Sequence, residues 1–463
     1  MAVKQWELRA AFAQRLSTMY GTEVPAYTTL VDVSHEVNRD LLAKDPEQAQ
    51  RLGSIARVTA ERHGAIRVGT PEELRQVGQI FAALGMHPVG FYDLREAAVS
   101  AVPVVSTAFR PIDEEELALN PFRVFTSLLT PADRRFFNAD LQHRLENFLS
   151  RRSLFPAELI SLAERAERDG ELEQADAQRF LELAVRSFEL SHEPVDRAWY
   201  AELERISSVA ADIGGVTTTH INHLTPRVLD IDELYERMER RGITMIDDIQ
   251  GPPRWDGPDV LLRQTSFRAL AEPRRFREAD GSVTEDSLRV RFGEVEARGI
   301  ALTPQGRATY DELVAEVDRR RTETGHGRAE VAAKVWGQRF PRSEPELARE
   351  DLAYFTFTVN TAHDHATPPP TTLPELIDQG WVRAEPIVYE DFLPRSAAGI
   401  FQSNLAGDGS KDLTQQAADL DGEWMTGVLE RTLHDPYDLY AHQRERSLES
   451  VRQELGTPVT GSC

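Results

Sequence analysis

The chain has 463 residues, of which 41% are hydrophobic, and this length allows a large core and two or three structural units. Its formal net charge of -23 opposes binding to a phosphate backbone, so nucleic acid is not an expected partner. The single cysteine is the last residue, Cys463, which excludes an intrachain disulfide and a cysteine-based metal cluster. Any metal ion must therefore be held by His, Asp or Glu side chains.

The sequence also lacks the apolar segments of a membrane or exported protein. No apolar run approaches the roughly 20 residues that a helix needs to cross a bilayer. The N-terminus, MAVKQWELRAAFAQRL, predicts an amphipathic helix without the apolar stretch of a signal peptide. We therefore expect a cytoplasmic protein that has no membrane partner.

An internal repeat is the main feature of organisation. Seven residues between His63 and Leu74 match residues between His223 and Leu234 in identity or chemical type, all at an offset of 160 positions, and Arg67 and Arg227 are one of these pairs. Two further short blocks recur in the same order, TAFR as TSFR and then LTP as LTP. Three matched blocks in one order indicate that the chain contains two copies of one module.

Each copy predicts a strand, a helix and three further strands. A capping box begins the helix, formed by Thr70 and Glu73 in the first copy and by Asp230 and Glu233 in the second. Strand-like stretches follow, HPVGFYDL, VPVVSTAF and FRVFTSLL in one copy and ITMIDDI, DVLLRQTSF and LRVRFGEVE in the other. The predicted fold class is therefore α+β, with two βαβββ modules that form a central curved sheet and with added helical segments.

The repeat also divides the chain into five parts. Residues between the copies are rich in Leu, Ala, Glu and Arg at helical spacing, and the last third mixes a strand-like stretch, a Pro-rich bend and helices. The expected parts are an N-terminal helical segment (1–52), the first module (53–135), a helical insertion (136–208), the second module (209–312) and a C-terminal helical and mixed region (313–463).

The two matched histidines predict a metal site between the modules. Residues i and i+4 of a strand share a face, so His63 and Arg67, and likewise His223 and Arg227, can line one concave surface. A carboxylate appears only in the last strand of the second copy, within RFGEVEARG, because FRVFTSLL has none. Two His and one carboxylate with open positions is the ligand set typical of non-haem iron(II) oxygenases.

Several ligand assignments stay open at this point. Glu294 and Glu296 are two residues apart and therefore share a face of the last strand, so either could be the carboxylate ligand. His220 competes with His223, but only His223 lies on the repeat register. The cluster at 363–365, His-Asp-His, also has a metal-binding composition, although it adjoins a Pro-rich loop.

Four phrases in order, HGAIR, TTHINHLTPR, RFGEVEARGIALTPQGR and YEDFLPRSAAGIFQSNL, resemble the 2-oxoadipate dioxygenase/decarboxylase family of lysine catabolism, also called 2-hydroxyglutarate synthases. The resemblance extends over about residues 25–450. That family has the vicinal oxygen chelate fold, whose paired βαβββ modules agree with the repeat. The resemblance implies an iron(II) site formed by His63, His223 and Glu294.

The resemblance also implies a reaction and its substrate contacts. The partners are a small 2-oxo dicarboxylic acid and O2, and 2-oxoadipate is converted to 2-hydroxyglutarate and CO2 with both oxygen atoms consumed on one substrate. Substrate would contact His63 and His223, and Arg67 would bind a carboxylate. The segment LPRSAAGIF would close over the substrate, with Arg395 and Ser396 in contact. The family has a small apolar residue in place of Arg395, so its backbone is the expected contact.

Two other functions compete with this one. A metal-dependent isomerase or lyase of the glyoxalase type would keep the fold, but that chemistry normally uses a fourth protein ligand. A non-catalytic protein that binds a small ligand between the modules would need no metal triad. Proximity of His63 and His223 in space distinguishes an enzyme from such a binding protein.

Overall fold

The structure is a computed structural model, and it describes residues 2–96, 101–289, 291–324, 327–362, 368–393, 411–412, 414–415 and 417–459. The N-terminal segment is helical: its elements are β1 (Ala2–Lys4), α1 (Gln5–Glu23), α2 (Pro25–Lys44), α3 (Pro46–Gln50) and α4 (Ile55–Ala60). In α1 the apolar side chains of Leu8, Phe12, Leu16 and Tyr20 recur every four residues and are all buried. This spacing gives the helix one apolar face, which packs into the core.

The first module has the predicted order of a strand, a helix and three strands. Its elements are β2 (Arg62–Val68), α5 (Pro71–Ala82), β3 (His87–Asp93), a 3-10 turn (Leu94–Glu96), β4 (Val104–Arg110), α6 (Glu114–Leu119) and β5 (Arg123–Leu129). The predicted capping box is present, because the Thr70 hydroxyl accepts a hydrogen bond from the Glu73 N–H (3.1 Å) and the Glu73 carboxylate accepts one from the Thr70 N–H (3.2 Å). These bonds satisfy N–H groups that the start of a helix leaves unpaired.

The segment between the modules is mostly helical. Its elements are α7 (Ala139–Leu149), α8 (Ala157–Asp169), β6 (Glu171–Glu173), α9 (Gln174–Arg186), β7 (Val195–Asp196), α10 (Arg197–Glu204) and α11 (Ser208–Gly214). The short strand β6 pairs with β1, so the insertion is tied to the N-terminus. Its last helix, α11, carries a buried aspartate, Asp212, which pairs with Arg67 of β2.

The second module resembles the first, but it has an added hairpin and no regular strand directly after its helix. Its elements are β8 (Ile221–Pro226), α12 (Ile231–Arg240), β9 (Leu262–Ser266), β10 (Glu272–Arg277), β11 (Val283–Leu288) and β12 (Glu294–Arg298). Strands β10 and β11 form the hairpin, which turns at Asp280-Gly281, where Gly281 has a φ of +85° that favours glycine. The Asp-Gly pair is a turn signal that is visible in the sequence.

Two of the strands that the sequence predicts in this module differ in the structure. The stretch ITMIDDI (243–249) makes an isolated bridge from Met245 to Phe267 and forms no regular strand. Asp247 and Asp248 are exposed in its middle, so the strand pairing is interrupted there. The stretch LRVRFGEVE becomes regular only at Glu294, because its beginning belongs to the end of the hairpin.

The C-terminal region mixes helices with one small sheet. Its described elements are α13 (Pro304–Thr324), α14 (Arg328–Arg339), α15 (Glu344–Arg349), β13 (Phe355–Val359), α16 (Leu373–Asp378), β14 (Val382–Pro386), α17 (Gly422–Leu429) and α18 (Pro436–Leu455). Strands β13 and β14 pair in antiparallel fashion, and α18 packs on β13. The segment that follows β14 returns to the central sheet, where Phe392 joins the main core.

The two modules meet along one central pair of strands. A five-stranded sheet has the order β3-β4-β5-β2-β8, in which β2 runs parallel to β5 and antiparallel to β8. A parallel bridge from Arg227 to Glu296 adds β12 beside β8, and β9 pairs with β12. The first strands of the two modules are therefore neighbours, and each lies beside the last strand of its own module. The predicted α+β fold with two βαβββ modules is confirmed, and the differences are the added hairpin and the irregular stretch at 243–249 in the second module.

One large apolar core joins both modules to the N-terminal helices and the helical insertion. A second core lies under the C-terminal helices and includes residues next to β9 and β12. Among the described residues, no helix is both long and apolar enough to span a membrane.

Candidate metal centre

Three side chains that can bind metal converge where the modules meet. His63 lies on β2, His223 on β8 and Glu294 at the start of β12, and one ligand atom of each lies within 4.8 Å of the others. The carboxylate oxygen Oε2 of Glu294 is 3.4 Å from His63 Nε2 and 3.5 Å from His223 Nε2. All three side chains are buried. The group can hold one ion through two imidazole nitrogens and one carboxylate.

The strand register explains why these residues meet. In the antiparallel pair β2–β8, Ala65 lies opposite His223, and residues opposite each other project to the same face. His63 is two positions from Ala65 and shares that face, so the two imidazole rings lie 5.6 Å apart between centroids. The neighbouring strand β12 then brings Glu294 to the same point.

Electrostatics at the centre favour a bound cation. Burial lowers the pKa of His223 to about 4, so this imidazole is neutral at pH 7, which is the form that binds a metal. Burial also lowers the pKa of His63, but the carboxylates of Glu296 and Glu294 outweigh it and the net pKa is raised. The two carboxylates thus stabilise positive charge at His63, and a metal ion would replace the proton there.

Aromatic side chains wall the centre. The ring of Phe392 packs edge-on against His63 at 5.0 Å between centroids, and the ring of Phe292 lies 5.4 Å from that of His223. The ring of Phe125 lies 5.0 Å from that of Phe392 between centroids. These rings hold the imidazoles in place and exclude water from one side of the group.

The donor set fits a metal ion with open positions. Within the described part of the chain, no fourth His, Cys, Asp or Glu joins the group that His63, His223 and Glu294 form. Three protein ligands leave coordination positions for other molecules. The missing fourth ligand disfavours a glyoxalase-type enzyme, and the proximity of the two histidines disfavours a binding protein without a metal triad.

Arg67 lies beside the triad and is held by a buried aspartate. Its guanidinium donates to Asp212 and is close enough to His223 to contribute to that residue's lowered pKa. Asp212 also accepts a hydrogen bond from Asn222 Nδ2 (2.8 Å) and lies 3.3 Å from His220 Nε2. His220 therefore faces Asp212, outside the group that could hold a metal.

Two further predicted neighbours of the histidines lie behind the triad: Glu296, which strand alternation places there, and Arg227, which the repeat places there. The Glu296 carboxylate is 2.9 Å from His63 Nδ1, on the side of the ring that faces away from Glu294. Burial would raise the pKa of Glu296, but Arg298 and His63 lower it to about 2. Arg227 donates to Glu61 at 2.9 Å, so the repeat partner of Arg67 pairs with a buried carboxylate on this far side.

Comparison with known proteins identifies the family. The family model for 2-oxoadipate dioxygenase/decarboxylase matches residues 12–404. A protein of that name from Mycobacterium bovis is 55% identical over 434 residues, which cover 94% of this chain and 95% of that protein. This chain belongs to the 2-oxoadipate dioxygenase/decarboxylase family. The resemblance inferred from the four sequence phrases is thereby confirmed.

Further 2-oxoadipate dioxygenase/decarboxylase relatives agree over the whole length. The protein of that name from Pseudomonas putida is 41% identical over 463 residues, covering 97% of each chain. The crystal structure of hydroxyglutarate synthase in complex with 2-oxoadipate from the same organism has a TM-score of 0.82 at 38% identity, and covers 98% of this chain and 99% of that chain. The paired-module fold is therefore that of a solved family member.

Some residues of this family member that the sequence singles out lie outside the described structure. Arg395 and Ser396 are among them, as is the His-Asp-His cluster at 363–365. Conversely, the sequence patterns single out only Glu296 from a set of charged residues behind His63, here called the buried charged cluster. Its members are Glu61, Arg123, Glu296, Arg298 and Glu390, all buried. The sequence signal that could have found it is a charged residue inside an otherwise apolar strand, as at Arg123 in FRVFTSLL.

Proposed function

We propose that this chain is an iron(II)-dependent 2-oxoadipate dioxygenase/decarboxylase, which converts 2-oxoadipate and O2 into 2-hydroxyglutarate and CO2. The observation that carries the proposal is the buried triad of His63, His223 and Glu294 in a chain of this family. Relatives of that name, and a solved relative that holds 2-oxoadipate, support the choice of substrate. Their fold and length match those of this chain.

The proposed metal is iron(II), because two imidazoles and one carboxylate are the ligand set of non-haem iron(II) oxygenases. When bound, iron(II) supplies the redox chemistry that O2 requires and open positions at which a 2-oxo acid can chelate. His63 and His223 would bind through Nε2, since these atoms face Glu294. The protein's own part is to fix three ligands and to shield them with Phe392 and Phe292.

Arg67 is the proposed anchor for a substrate carboxylate. A guanidinium binds a carboxylate through two parallel hydrogen bonds. It also provides local positive charge for an anionic substrate, which the net charge of -23 on the whole chain would repel. Asp212 fixes its position through an ion pair, and Asn222 and His220 hold Asp212 in turn. Contacts from Arg395 and Ser396 remain a prediction from the family resemblance.

Asp212→Asn is expected to weaken substrate binding and leave metal binding intact. The amide cannot form the ion pair that orients Arg67, and a hydrogen bond to a charged group is worth about 1.5–3 kcal/mol. We therefore expect the KM for 2-oxoadipate to rise roughly 10- to 100-fold, with a smaller change in kcat. Steady-state oxygen consumption measures both constants.

Asp133→Asn is the matched control. Asp133 is a fully buried aspartate that pairs with Arg95 and Arg135 and contacts none of the triad or Arg67. Its replacement removes a comparable buried ion pair, so a general loss of stability affects both variants. An unchanged KM in Asp212→Asn, or an equal rise in both variants, contradicts the role assigned to Asp212.

Oxygen uptake tests the proposed reaction directly. The metal-free protein is loaded with iron(II) without air, O2 is admitted, and uptake is followed on addition of 2-oxoadipate. Substrates 2-oxoglutarate and 4-hydroxyphenylpyruvate serve as controls for chain length and for the nature of the distal group. We expect uptake with 2-oxoadipate, matched by equal amounts of CO2 and 2-hydroxyglutarate. A protein that binds iron(II) but consumes no O2 with any of the three acids refutes the proposal.

A further inference from the structure

One metal-binding histidine is supported from behind by a carboxylate. His63 has Nε2 directed toward Glu294, whereas its other ring nitrogen, Nδ1, is 2.9 Å from Glu296 Oε2. Only a proton on Nδ1 leaves Nε2 free to bind metal, and a carboxylate beside Nδ1 favours that tautomer. His223 has no equivalent support, because its ion pair in the described part of the chain, with Glu294, is through Nε2 and leaves Nδ1 without a carboxylate.

The carboxylate of Glu296 is itself held by two buried arginines. Arg298 binds it through two bonds, from Nε to Oε1 at 2.7 Å and from Nη2 to Oε2 at 2.9 Å. Arg123 Nη1 lies 3.4 Å from the same Oε1. Glu296 is fully buried, so with both of its oxygens bound in this way it cannot swing away from His63 without leaving charges unpaired.

The same arginines also hold residues 389–392, here called the wall segment, which line one side of the metal centre. Arg298 Nη1 donates to the carbonyl oxygens of Tyr389 (2.7 Å) and Asp391 (3.1 Å), and Arg123 donates to the Glu390 carboxylate. The next residue, Phe392, packs on the ring of His63. His63 is thus restrained from two directions, at Nδ1 by Glu296 and on its ring by Phe392, and both restraints depend on the buried charged cluster.

A purely structural role explains these contacts less well. Buried ion pairs are often replaceable by apolar residues at little cost in stability, so stability alone does not require a charged cluster here. What distinguishes the cluster is that it ends at the far nitrogen of a metal-binding imidazole. Carboxylates in that position orient the ligand and raise its basicity in metal sites generally.

We infer that Glu296 is a positioning residue of the metal centre, which acts through His63, and that Arg298 holds Glu296 and the wall segment at 389–392 in one arrangement. The inference deepens the proposed function and rests on its assignment of His63 as a ligand. The two histidines are then held in position by different contacts. His63 is oriented by charged neighbours, whereas His223 is oriented by packing against Phe292.

Metal affinity and ligand-field spectra of Glu296 variants test the inference. Fe(II) affinity is measured without air by competition with a chromophoric chelator, and Co(II) absorption spectra report the geometry of the ligands. We expect Glu296→Ala to weaken Fe(II) binding roughly 10- to 100-fold and to change the Co(II) spectrum. Glu296→Gln keeps an oxygen that can accept from Nδ1, so its loss of affinity should be several-fold and smaller than that of Glu296→Ala.

Two reference variants separate positioning from the other roles. Glu73→Gln removes a buried carboxylate that pairs with Arg152 and contacts no residue of the triad; it should lower thermal stability but leave Fe(II) affinity and the Co(II) spectrum unchanged. Glu294→Ala removes a proposed ligand and should lose far more affinity than Glu296→Ala.

Several results would overturn the inference. Wild-type Fe(II) affinity and an unaltered Co(II) spectrum in folded Glu296→Ala refute it. If that variant does not fold, the same result in Glu296→Gln refutes it. A loss as large as that of Glu294→Ala makes Glu296 a ligand in its own right, which also refutes it. Failure of the proposed reaction appears separately, as a wild-type protein that binds metal but does not consume O2 with 2-oxoadipate.

Discussion

His223→Ala is expected to abolish oxygen consumption and to weaken metal binding by well over 100-fold. The variant removes one of three protein ligands, and loss of a residue that only supports a ligand already costs about 10- to 100-fold. A second effect adds to this, since the cavity left beside Phe292 admits water to the centre. Fe(II) affinity by chelator competition and oxygen uptake with 2-oxoadipate measure the two losses.

His220→Ala is the matched control for that experiment. His220 is a buried histidine three positions earlier, and it lies beside Asp212 with its Nε2 3.3 Å from Oδ1. Its replacement should leave Fe(II) affinity unchanged and raise the KM for 2-oxoadipate, because it disturbs the residue that orients Arg67. Equal metal affinities in the two variants would contradict the assignment of His223 as a ligand.

Arg123→Met should destabilise the protein by about 3–5 kcal/mol, because it leaves buried carboxylates without their cation. Arg123 is fully buried and donates to Glu61 at 2.7 Å and to Glu390. Methionine is apolar and of similar length, so the expected loss comes from the unpaired charges and much less from an empty cavity. The shift of the first unfolding transition in urea measures the effect.

Arg168→Met provides the comparison for an exposed ion pair. Arg168 pairs with Asp169 at the surface, where solvent screens the interaction, so its unfolding transition should hardly move. A stability for Arg123→Met close to that of Arg168→Met would mean that the carboxylates of the buried charged cluster find other partners or become protonated. In that case the cluster could not be what restrains Glu296 and the wall segment.

Much of the fold is readable from local sequence signals. The repeat, the apolar alternation of the strands and the capping box at Thr70 and Glu73 act over short distances along the chain, so they indicate βαβββ modules before any tertiary contact is known. Where a local signal was interrupted, the prediction failed. The exposed pair Asp247 and Asp248 breaks the stretch predicted as the second strand of module two, and an Asp-Gly turn at 280–281 marks a hairpin that interrupts the module.

The candidate site shows the same division. Equivalent positions in the repeat select His63 and His223, and two-residue alternation places Glu294 and Glu296 on one face. Alternation cannot decide between these glutamates, because residues two positions apart on a strand point to the same face. The distance along β12 decides it: Glu294 reaches both Nε2 atoms, whereas Glu296, two residues further on, lies beside Nδ1 of His63.

The sequence by itself determined the α+β modules, the pairing of two histidines with one carboxylate, and the family. Only the tertiary structure decided how otherwise equivalent residues differ. Arg67 and Arg227 hold the same place in the repeat, yet Arg67 pairs with Asp212 of α11 beside the triad, and Arg227 pairs with Glu61 behind it. The physical reason is the distance along the chain over which each effect acts. The face of a strand to which a side chain points depends on its neighbours in sequence. Its charged partner comes from a distant segment, which is brought close only when the core forms.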